Sequence, residues 1–176
     1  MLHRDDPRAS SGFQRERDHA PVLASFQACL PTPFAVLGIQ ASGSRLLRIE
    51  YLPQGAPALE PQNALAAEAC RQIERYLGDA DFSFDLPFER SGTAFQQRVW
   101  REISAIPRGR TLTYMEVARN LQSAPRPVGG ACGANRLPLV IPCHRVVASA
   151  GIGGFMHARG GEPIRIKQWL LAHERD

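Results

Sequence analysis

Two capping boxes constrain the fold of the second half of this sequence. Thr93 is followed three residues later by Gln96, and Thr113 is followed in the same way by Glu116. In such a box the Thr hydroxyl and the Gln or Glu side chain each bond a backbone N–H at the start of a helix. The apolar residues that then recur at helical spacing are Phe95, Val99, Trp100, Ile103 and Ile106 after the first box, and Val117, Ala118 and Leu121 after the second. The sequence therefore predicts two successive helices, the first ending at PRGR (107–110).

A third helical segment with almost no long side chains follows the turn QSAPRP (122–127). We expect this helix to begin near Arg126 and to continue through VGGACGAN (128–135). Two helices joined by a short turn are typical of helix-turn-helix proteins, but reading base edges requires Arg, Asn or Gln side chains. Small residues instead allow close backbone approach, and Arg126 could fill a gap in a base stack. Taken without the motifs around it, this segment favours tight packing between helices over DNA binding.

The basic charge lies in this same half. Residues 91–176 contain eleven Arg and one Lys against five acidic residues, a net charge of +7. Residues 21–90 contain five Arg against eight acidic residues, a net charge of −3. A basic segment beside an acidic one indicates a polyanionic partner, although a solvated surface explains it equally well.

The first half predicts a small α+β module. Residues 33–52 read as a β-hairpin around the turn QASGS, and Asn63 is a candidate N-cap for a helix over 63–77. The apolar face expected for this helix consists of Leu65, Ala69, Ile73 and Leu77. Phe82, Phe84 and Leu86 then alternate as in a short strand.

These signals divide the chain into three parts. We expect a flexible tail over residues 1–20, a small domain over 21–90 and a second domain over 91–176. The boundary between the two domains is placed at ERSG, residues 89–92.

The pentapeptide PCHRV, which starts at Pro142, contains a cysteine beside a histidine. Proline has no N–H for a central strand, so we expect the chain to leave its strand there and to present Cys143 at a turn. Neighbours in an extended chain point to opposite faces, so His144 would reach the thiol through a bend or a bridging water. An imidazole in this role needs a carboxylate on its other nitrogen, and Glu174 in the amphipathic C-terminal segment is a candidate. The alternative is that Cys143 is an inert core thiol.

The remaining sequence features exclude several classes. Cys29, Cys70, Cys132 and Cys143 form no CxxC pair, so we expect no metal site and four reduced thiols. No apolar run approaches the about 20 residues that cross a bilayer. The N-terminal segment lacks the hydrophobic stretch of a signal peptide. We therefore expect a cytoplasmic protein without a membrane partner.

Taken together, the motifs of residues 91–176 resemble the O6-alkylguanine-DNA alkyltransferase family, the methylated-DNA–protein-cysteine methyltransferases. The matching blocks are GTAFQQRVWREISAIPRGRTLTYMEVA, RPVGGACGAN, IPCHRV and KQWLLAHE. The resemblance implies an α+β fold. It consists of a small RNase H-like α/β N-terminal domain and a C-terminal winged helix-turn-helix-like DNA-binding domain that carries the active site.

The resemblance also implies a reaction. A monomer without a cofactor would transfer one methyl or larger alkyl group from O6 of guanine, or O4 of thymine, in double-stranded DNA to Cys143. His144 would accept the thiol proton through water, and Glu174 would hold His144. Tyr114 would bind the DNA, help to rotate the nucleotide and protonate the departing guanine at N3. The base must first be flipped out, because a thiolate cannot reach O6 within the stack.

Further residues receive roles from the same resemblance. Asn135 would brace the turn that carries Cys143, and Arg126 would replace the flipped base. Gly129, Gly130, Ala131, Cys132 and Gly133 would lie in the minor groove, without sequence specificity, and Val146, Phe155 and Met156 would form the substrate pocket. The chain departs from the family pattern at Pro127 and at Arg136. Phe155 replaces a tyrosine, and the segment that follows Phe155 is longer than in the family.

Three other classes of protein are weighed against this one. A non-enzymatic DNA-lesion binder of the alkyltransferase-like kind lacks the cysteine, so Cys143 argues against it. A sequence-specific helix-turn-helix regulator requires a recognition helix with base-reading side chains, which the segment 128–135 does not provide. A cysteine hydrolase requires an oxyanion-hole arrangement, which no segment here resembles.

Overall fold

A computed structural model describes residues 25–89 and 91–175 as an α+β fold. The chain begins with an antiparallel sheet of β1 (Ala28–Pro31), β2 (Val36–Ala41) and β3 (Leu46–Leu52). β2 and β3 are the hairpin that the sequence predicts, which is thereby confirmed. β1 is not predicted, because a strand of four residues is too short to show alternation. The tail expected over residues 1–20 lies outside the described residues.

Helix α1 (Ala64–Gly78) covers the sheet, and its predicted N-cap is confirmed. The Asn63 side chain accepts a hydrogen bond from the Ala66 N–H at 2.8 Å. On the predicted apolar face, Ala69 and Ile73 are buried, and Leu65 and Leu77 are half-buried but pack against the core. The residues that α1 buries are Ala66, Ala69, Cys70, Gln72, Ile73 and Tyr76. This face includes a buried amide and a buried phenol, which a purely hydrophobic pattern does not find.

The short strand predicted around Phe82, Phe84 and Leu86 does not form. The alternation itself is present, but the buried Gln72 side chain takes the place of a neighbouring strand. Its Nε2 donates to the Asp85 carbonyl at 2.8 Å, and its Oε1 accepts from the Asp85 N–H at 2.8 Å. The backbone of Asp85 is therefore satisfied by one side chain of α1 rather than by a β-ladder.

The second half is mainly helical. Both predicted capping boxes are confirmed, at the starts of α2 and α3. The elements in chain order are α2 (Ala94–Ser104), β4 (Leu112–Thr113), α3 (Tyr114–Asn120), α4 (Pro125–Gly133), a 3₁₀ helix (Cys143–Arg145), β5 (Val146–Val147) and α5 (Glu162–His173). β4 and β5 pair in parallel, which joins the start of α3 to the chain just after Cys143.

The strand expected before Pro142 is absent. Residues 137–141 form turns instead, with Leu139 at a φ of 72° and the Ile141 N–H bonded to the Leu137 carbonyl at 2.8 Å. The Asn135 side chain bonds backbone groups at both ends of this segment, which holds it curled. The apolar run is buried because it turns into the core, not because it joins a sheet.

One hydrophobic core extends through both halves of the described chain. Phe34, beside β2, packs against Trp169 of α5 with ring centroids 4.6 Å apart. Within the described residues, no helix is both long and apolar enough to cross a membrane.

Candidate active site

Helix α4 packs against α2 and α3 through its buried face. The Trp100 indole N–H donates to the Ala131 carbonyl at 2.8 Å, and Val128 and Ala131 are buried. Gly130 is exposed, and a Cβ at this position would meet no atom within 4 Å. Packing within the chain explains the small residue at 131 but gives no reason for glycine at 130, where it weakens the helix.

A cavity of about 700 Å³ opens beside the start of α4. It brings together many of the residues that the sequence analysis selects: Tyr114, Arg126, Gly129, Cys132, Gly133, Cys143, Phe155 and Met156. Gly130, Ala131 and Val146 are not among the residues that line it. Val146 is fully buried, and its carbonyl accepts a hydrogen bond from Lys167.

Cys143 begins the 3₁₀ helix directly after Pro142, so it is presented at a turn as expected. The residue is 6% exposed, and it lines the cavity. Asn135 Nδ2 donates to Cys143 Sγ at 3.3 Å and to the Ile141 carbonyl at 2.8 Å. Asn135 thus holds both the thiol and the backbone that leads to it.

The residue after the thiol is turned into the core, where it meets the end of α5. His144 is 1% exposed, and its Nε2 lies 2.8 Å from Oε1 of Glu174, which is also 1% exposed. Arg145 binds the same carboxylate twice, through Nε to Oε2 at 2.8 Å and through Nη2 to Oε1 at 2.9 Å. The Tyr76 hydroxyl of α1 donates to Oε1 at 2.9 Å. The structure therefore brings His144 and Glu174 together, within a larger buried cluster.

The contact with Glu174 fixes the tautomer of His144. A carboxylate only accepts hydrogen bonds, so Nε2 carries the proton and Nδ1 has a free lone pair. Nδ1 is buried and has no hydrogen-bond partner within the described residues. This nitrogen is the atom of His144 that can accept a proton.

The protonation states follow from burial and neighbouring charge. Burial raises the pKa of the Cys143 thiol, although the Asn135 hydrogen bond and the charge of Lys167 oppose this. Burial lowers the pKa of His144 more than the Glu174 hydrogen bond raises it. Burial would raise the pKa of Glu174, but the hydrogen bonds from His144 and Arg145 hold it well below its usual range. At neutral pH the site contains a thiol, a neutral imidazole and a carboxylate.

Tyr114, at the start of α3, forms another part of the cavity wall. Its hydroxyl donates to the Gly154 carbonyl at 3.0 Å. Burial, followed by the nearby Cys132 and Cys143, raises the pKa of this phenol to about 12. Tyr114 therefore keeps its proton at neutral pH and can serve as a donor.

Lys167 was not selected from the sequence, although it is the single lysine of the chain. It is fully buried, and its Nζ donates to the carbonyls of Val146 at 2.6 Å and Gly154 at 2.9 Å. Burial lowers the pKa of Lys167 to about 8. The signal that could have identified it is its helical spacing of three and four residues from Leu170 and Leu171, which places it on the buried face of α5.

The longer segment after Phe155 forms a tight turn at the cavity. Phe155 and Ala158 exchange two backbone hydrogen bonds of 2.9 Å around Met156 and His157. These two central residues have φ values of 51° and 60°, a left-handed conformation that strains ordinary side chains. A Cβ added at Gly133 would collide with the His157 ring, so the turn closes against the end of α4.

Comparisons with known proteins agree with this geometry. Residues 94–176 match the family model described as "6-O-methylguanine DNA methyltransferase, DNA binding domain". The "Regulatory protein ada" of Salmonella typhimurium is 45% identical over 118 residues, which are 65% of this chain but only 32% of that protein. The "Methylated-DNA--protein-cysteine methyltransferase" of Mycolicibacterium paratuberculosis is 38% identical over 133 residues, 74% of this chain and 78% of that protein.

A solved structure extends the likeness to the first half of the chain. The crystal structure of Mycobacterium tuberculosis OGT in complex with DNA superimposes with a TM-score of 0.70 at 31% identity, covering 84% of this chain and 91% of that one. The similarity thus reaches well beyond the Cys-His motif, in sequence and in fold. The chain belongs to the 6-O-methylguanine DNA methyltransferase family.

Proposed function

We propose that this chain repairs DNA by transferring a methyl or larger alkyl group from O6 of guanine, or O4 of thymine, to its own Cys143. The observation that carries the proposal is the position of Cys143, which lines an open cavity while its neighbour His144 is paired with buried Glu174. A thiol with a raised pKa needs a base, and a neutral imidazole held by a carboxylate is such a base. The relatives that are named methyltransferases support the same assignment.

The reaction is a single displacement. His144 Nδ1 accepts the Cys143 proton through a bridging water, and Sγ attacks the alkyl carbon as the bond from that carbon to guanine O6 breaks. Tyr114 gives its proton to N3 of the departing guanine. The product is a thioether on Cys143, which water does not cleave, so each chain acts once.

Helices α3 and α4 form the DNA-binding unit of this proposal, a winged helix-turn-helix that meets the minor groove without reading sequence. Exposed Gly130 supports close approach of the α4 backbone, and the net charge of +7 in residues 91–176 supports a phosphate partner. Arg126 lies exposed in the first turn of α4 at the cavity and would fill the gap left by the flipped base.

The organisation around this unit is part of the same proposal. We assign residues 21–90 to an RNase H-like α/β domain and 91–176 to the DNA-binding and catalytic domain. The chain would act as a monomer in the cytoplasm, where thiols stay reduced. All four cysteines are free, as the reaction requires of Cys143.

Mass spectrometry tests the proposal directly. The chain is mixed with duplex DNA carrying one O6-methylguanine, and the intact protein and its peptides are weighed. We expect one added methylene unit, saturating at one per chain and located on Cys143. Cys132→Ala, which removes the other thiol of the cavity, should still be methylated, whereas Cys143→Ala should not. Tight binding to the lesion without methylation of the native chain would instead identify a DNA-lesion binder.

A further inference from the structure

A single phenol of the N-terminal half reaches the buried carboxylate of the proposed active site. Tyr76 of α1 is 2% exposed, and its hydroxyl donates to Oε1 of Glu174 at 2.9 Å. The same oxygen lies 2.8 Å from Nε2 of His144. Tyr76 is therefore two hydrogen bonds away from the imidazole, although 98 residues separate it from Glu174 in the chain.

The contact changes how strongly Glu174 holds the imidazole. Oε1 faces three donors, from Tyr76, His144 and Arg145, and Oε2 faces the Nε of Arg145. Each donor takes up part of the carboxylate charge, so the phenol weakens the attraction between Glu174 and a protonated His144. A neutral His144 is the form that can accept the Cys143 proton.

The same part of α1 also fixes the position of Glu174. This residue is the C-cap of α5, where a helix end frays unless it is held. His173 Nε2 donates to the Tyr76 carbonyl at 2.8 Å, and the ring of His173 stacks on Trp169 at 4.9 Å. Arg108 donates to the Glu174 carbonyl at 3.2 Å. Tyr76 thus contacts the end of α5 through its backbone, its ring and its hydroxyl.

We propose that Tyr76 is a positioning residue for the alkyl transfer, acting on Cys143 through Glu174 and His144. The inference rests on the proposed function and gives the N-terminal half a part in the reaction. The other charged groups around the His144–Glu174 pair are Arg145, Arg108 and Lys167, and a hydroxyl deletion leaves all of them in place.

The test compares the native chain with Tyr76→Phe, which keeps the ring and removes the hydroxyl. Single-turnover methyl transfer from a duplex carrying one O6-methylguanine is measured from pH 5.5 to 9. Without the phenol, Glu174 stabilises protonated His144 more strongly, so the acid limb of the rate profile should move to higher pH. Glu174 also loses one of the contacts that hold it in place, so the rate on the plateau above this limb should fall by about tenfold.

Phe84→Leu is the matched control. The Phe84 ring packs against the Tyr76 ring with centroids 5.4 Å apart, so this change loosens the same cluster but keeps the hydroxyl. It should lower the melting temperature and leave the pH profile unchanged. A Tyr76→Phe chain with the native rate and an unshifted acid limb would overturn the inference.

Two further measurements separate this inference from the proposed function. In a Glu174→Gln background, Tyr76→Phe should add no further slowing, since its path to the thiol is already broken; additive slowing contradicts the inference. If the native chain transfers no methyl group, the proposed function fails. The Tyr76 contact is then judged by NMR titration of the His144 ring nitrogens, where an unchanged midpoint in Tyr76→Phe overturns it.

Discussion

The carboxamide of Asn135 connects the end of α4 to the proposed nucleophile. Its Nδ2 donates to Cys143 Sγ at 3.3 Å and to the Ile141 carbonyl at 2.8 Å, and its Oδ1 accepts the Leu137 N–H at 2.9 Å. One side chain therefore shapes the turn and stabilises the thiolate. Helix α4 is also the element proposed to meet DNA, so the geometry of the thiol depends directly on the position of that helix.

Replacing Asn135 with Ala should slow alkyl transfer. The Asn135 hydrogen bond lowers the pKa of Cys143 against the effect of burial, so its loss raises that pKa and reduces the thiolate fraction. We expect a single-turnover rate at least about tenfold lower at pH 7, recovering in part at higher pH. Loss of the backbone bonds should also cost about 1–3 kcal/mol in the free energy of unfolding.

Asn135→Asp provides the control for this prediction. It keeps an acceptor for the Leu137 N–H but places a carboxylate against Sγ, which raises the thiol pKa further. Its rate at pH 7 should therefore be lower than that of Asn135→Ala. An Asp variant that transfers faster than the Ala variant would contradict the assigned role.

Replacing Glu174 with Gln should change the stability of the fold in a pH-dependent way. The pKa of Glu174 is depressed in the folded chain, so its stabilisation is complete above its unfolded pKa of about 4.3 and is lost as the pH falls towards the folded value. Glu174→Gln leaves the guanidinium of Arg145 without its carboxylate. We expect a loss of about 3 kcal/mol at pH 7, measured by urea unfolding.

The comparison is made between pH 7 and pH 3. The difference in unfolding free energy between the native chain and Glu174→Gln should narrow as the pH falls below about 4.3. A difference that stays constant over this range would show that the Glu174 carboxylate is not held in its charged form by its neighbours.

The sequence predicts those structural features that depend on residues close together in the chain. Both capping boxes, the hairpin and the Asn63 cap depend on residues close to one another in the chain, and each forms as expected. The contact between His144 and Glu174 is a longer-range case, found because a thiol with a histidine base calls for one carboxylate and few acids were available. Glu174 was therefore identified from the chemistry that the site requires, not from a local sequence pattern.

The rest depends on polar contacts between distant segments. Gln72 takes the place of a strand at Asp85, and Tyr76 reaches Glu174, yet both positions look like ordinary helix residues in the sequence. Lys167 carries a charge and is buried, because its amine finds two carbonyls that only the folded loop presents. Hydrophobic periodicity cannot reveal contacts of this kind.

Replacing Lys167 with Met should show how the buried amine affects the pH dependence of stability. Burial lowers the pKa of Lys167 to about 8, below its unfolded value of about 10.4. The folded chain therefore binds fewer protons than the unfolded chain between these values, so this lysine favours folding more as the pH rises from about 8 to 10.4. The native chain should gain stability relative to Lys167→Met over that interval, by no more than about 3 kcal/mol, in urea unfolding at each pH. A pH-independent difference would argue against the burial of a charged amine.

Arg126→Ala should affect repair of duplex DNA more than repair of single strands. Arg126 is exposed at the start of α4, and a residue that fills a base stack matters only where there is a stack to fill. We expect single-turnover transfer from a duplex to slow by about tenfold or more, and transfer from a single-stranded oligonucleotide of the same sequence to change little. Arg159→Ala is a useful control, since Arg159 also lines the cavity but lies outside α4. Equal slowing on both substrates would indicate that Arg126 contacts phosphate and does not fill the base stack.

The turn at Met156 and His157 should limit the size of the alkyl group. The His157 ring occupies the space above Gly133 at the edge of the cavity, so removing it widens the cavity there. Both His157→Gly and His157→Ala should increase the rate for O6-benzylguanine in DNA relative to O6-methylguanine.

The two variants should differ in stability, because His157 has a φ of 60° and only glycine adopts this conformation without strain. His157→Gly should be more stable than His157→Ala by about 1 kcal/mol in urea unfolding. Equal stabilities would show that the turn relaxes when the ring is removed, and an unchanged ratio of rates would place the size limit elsewhere on the wall.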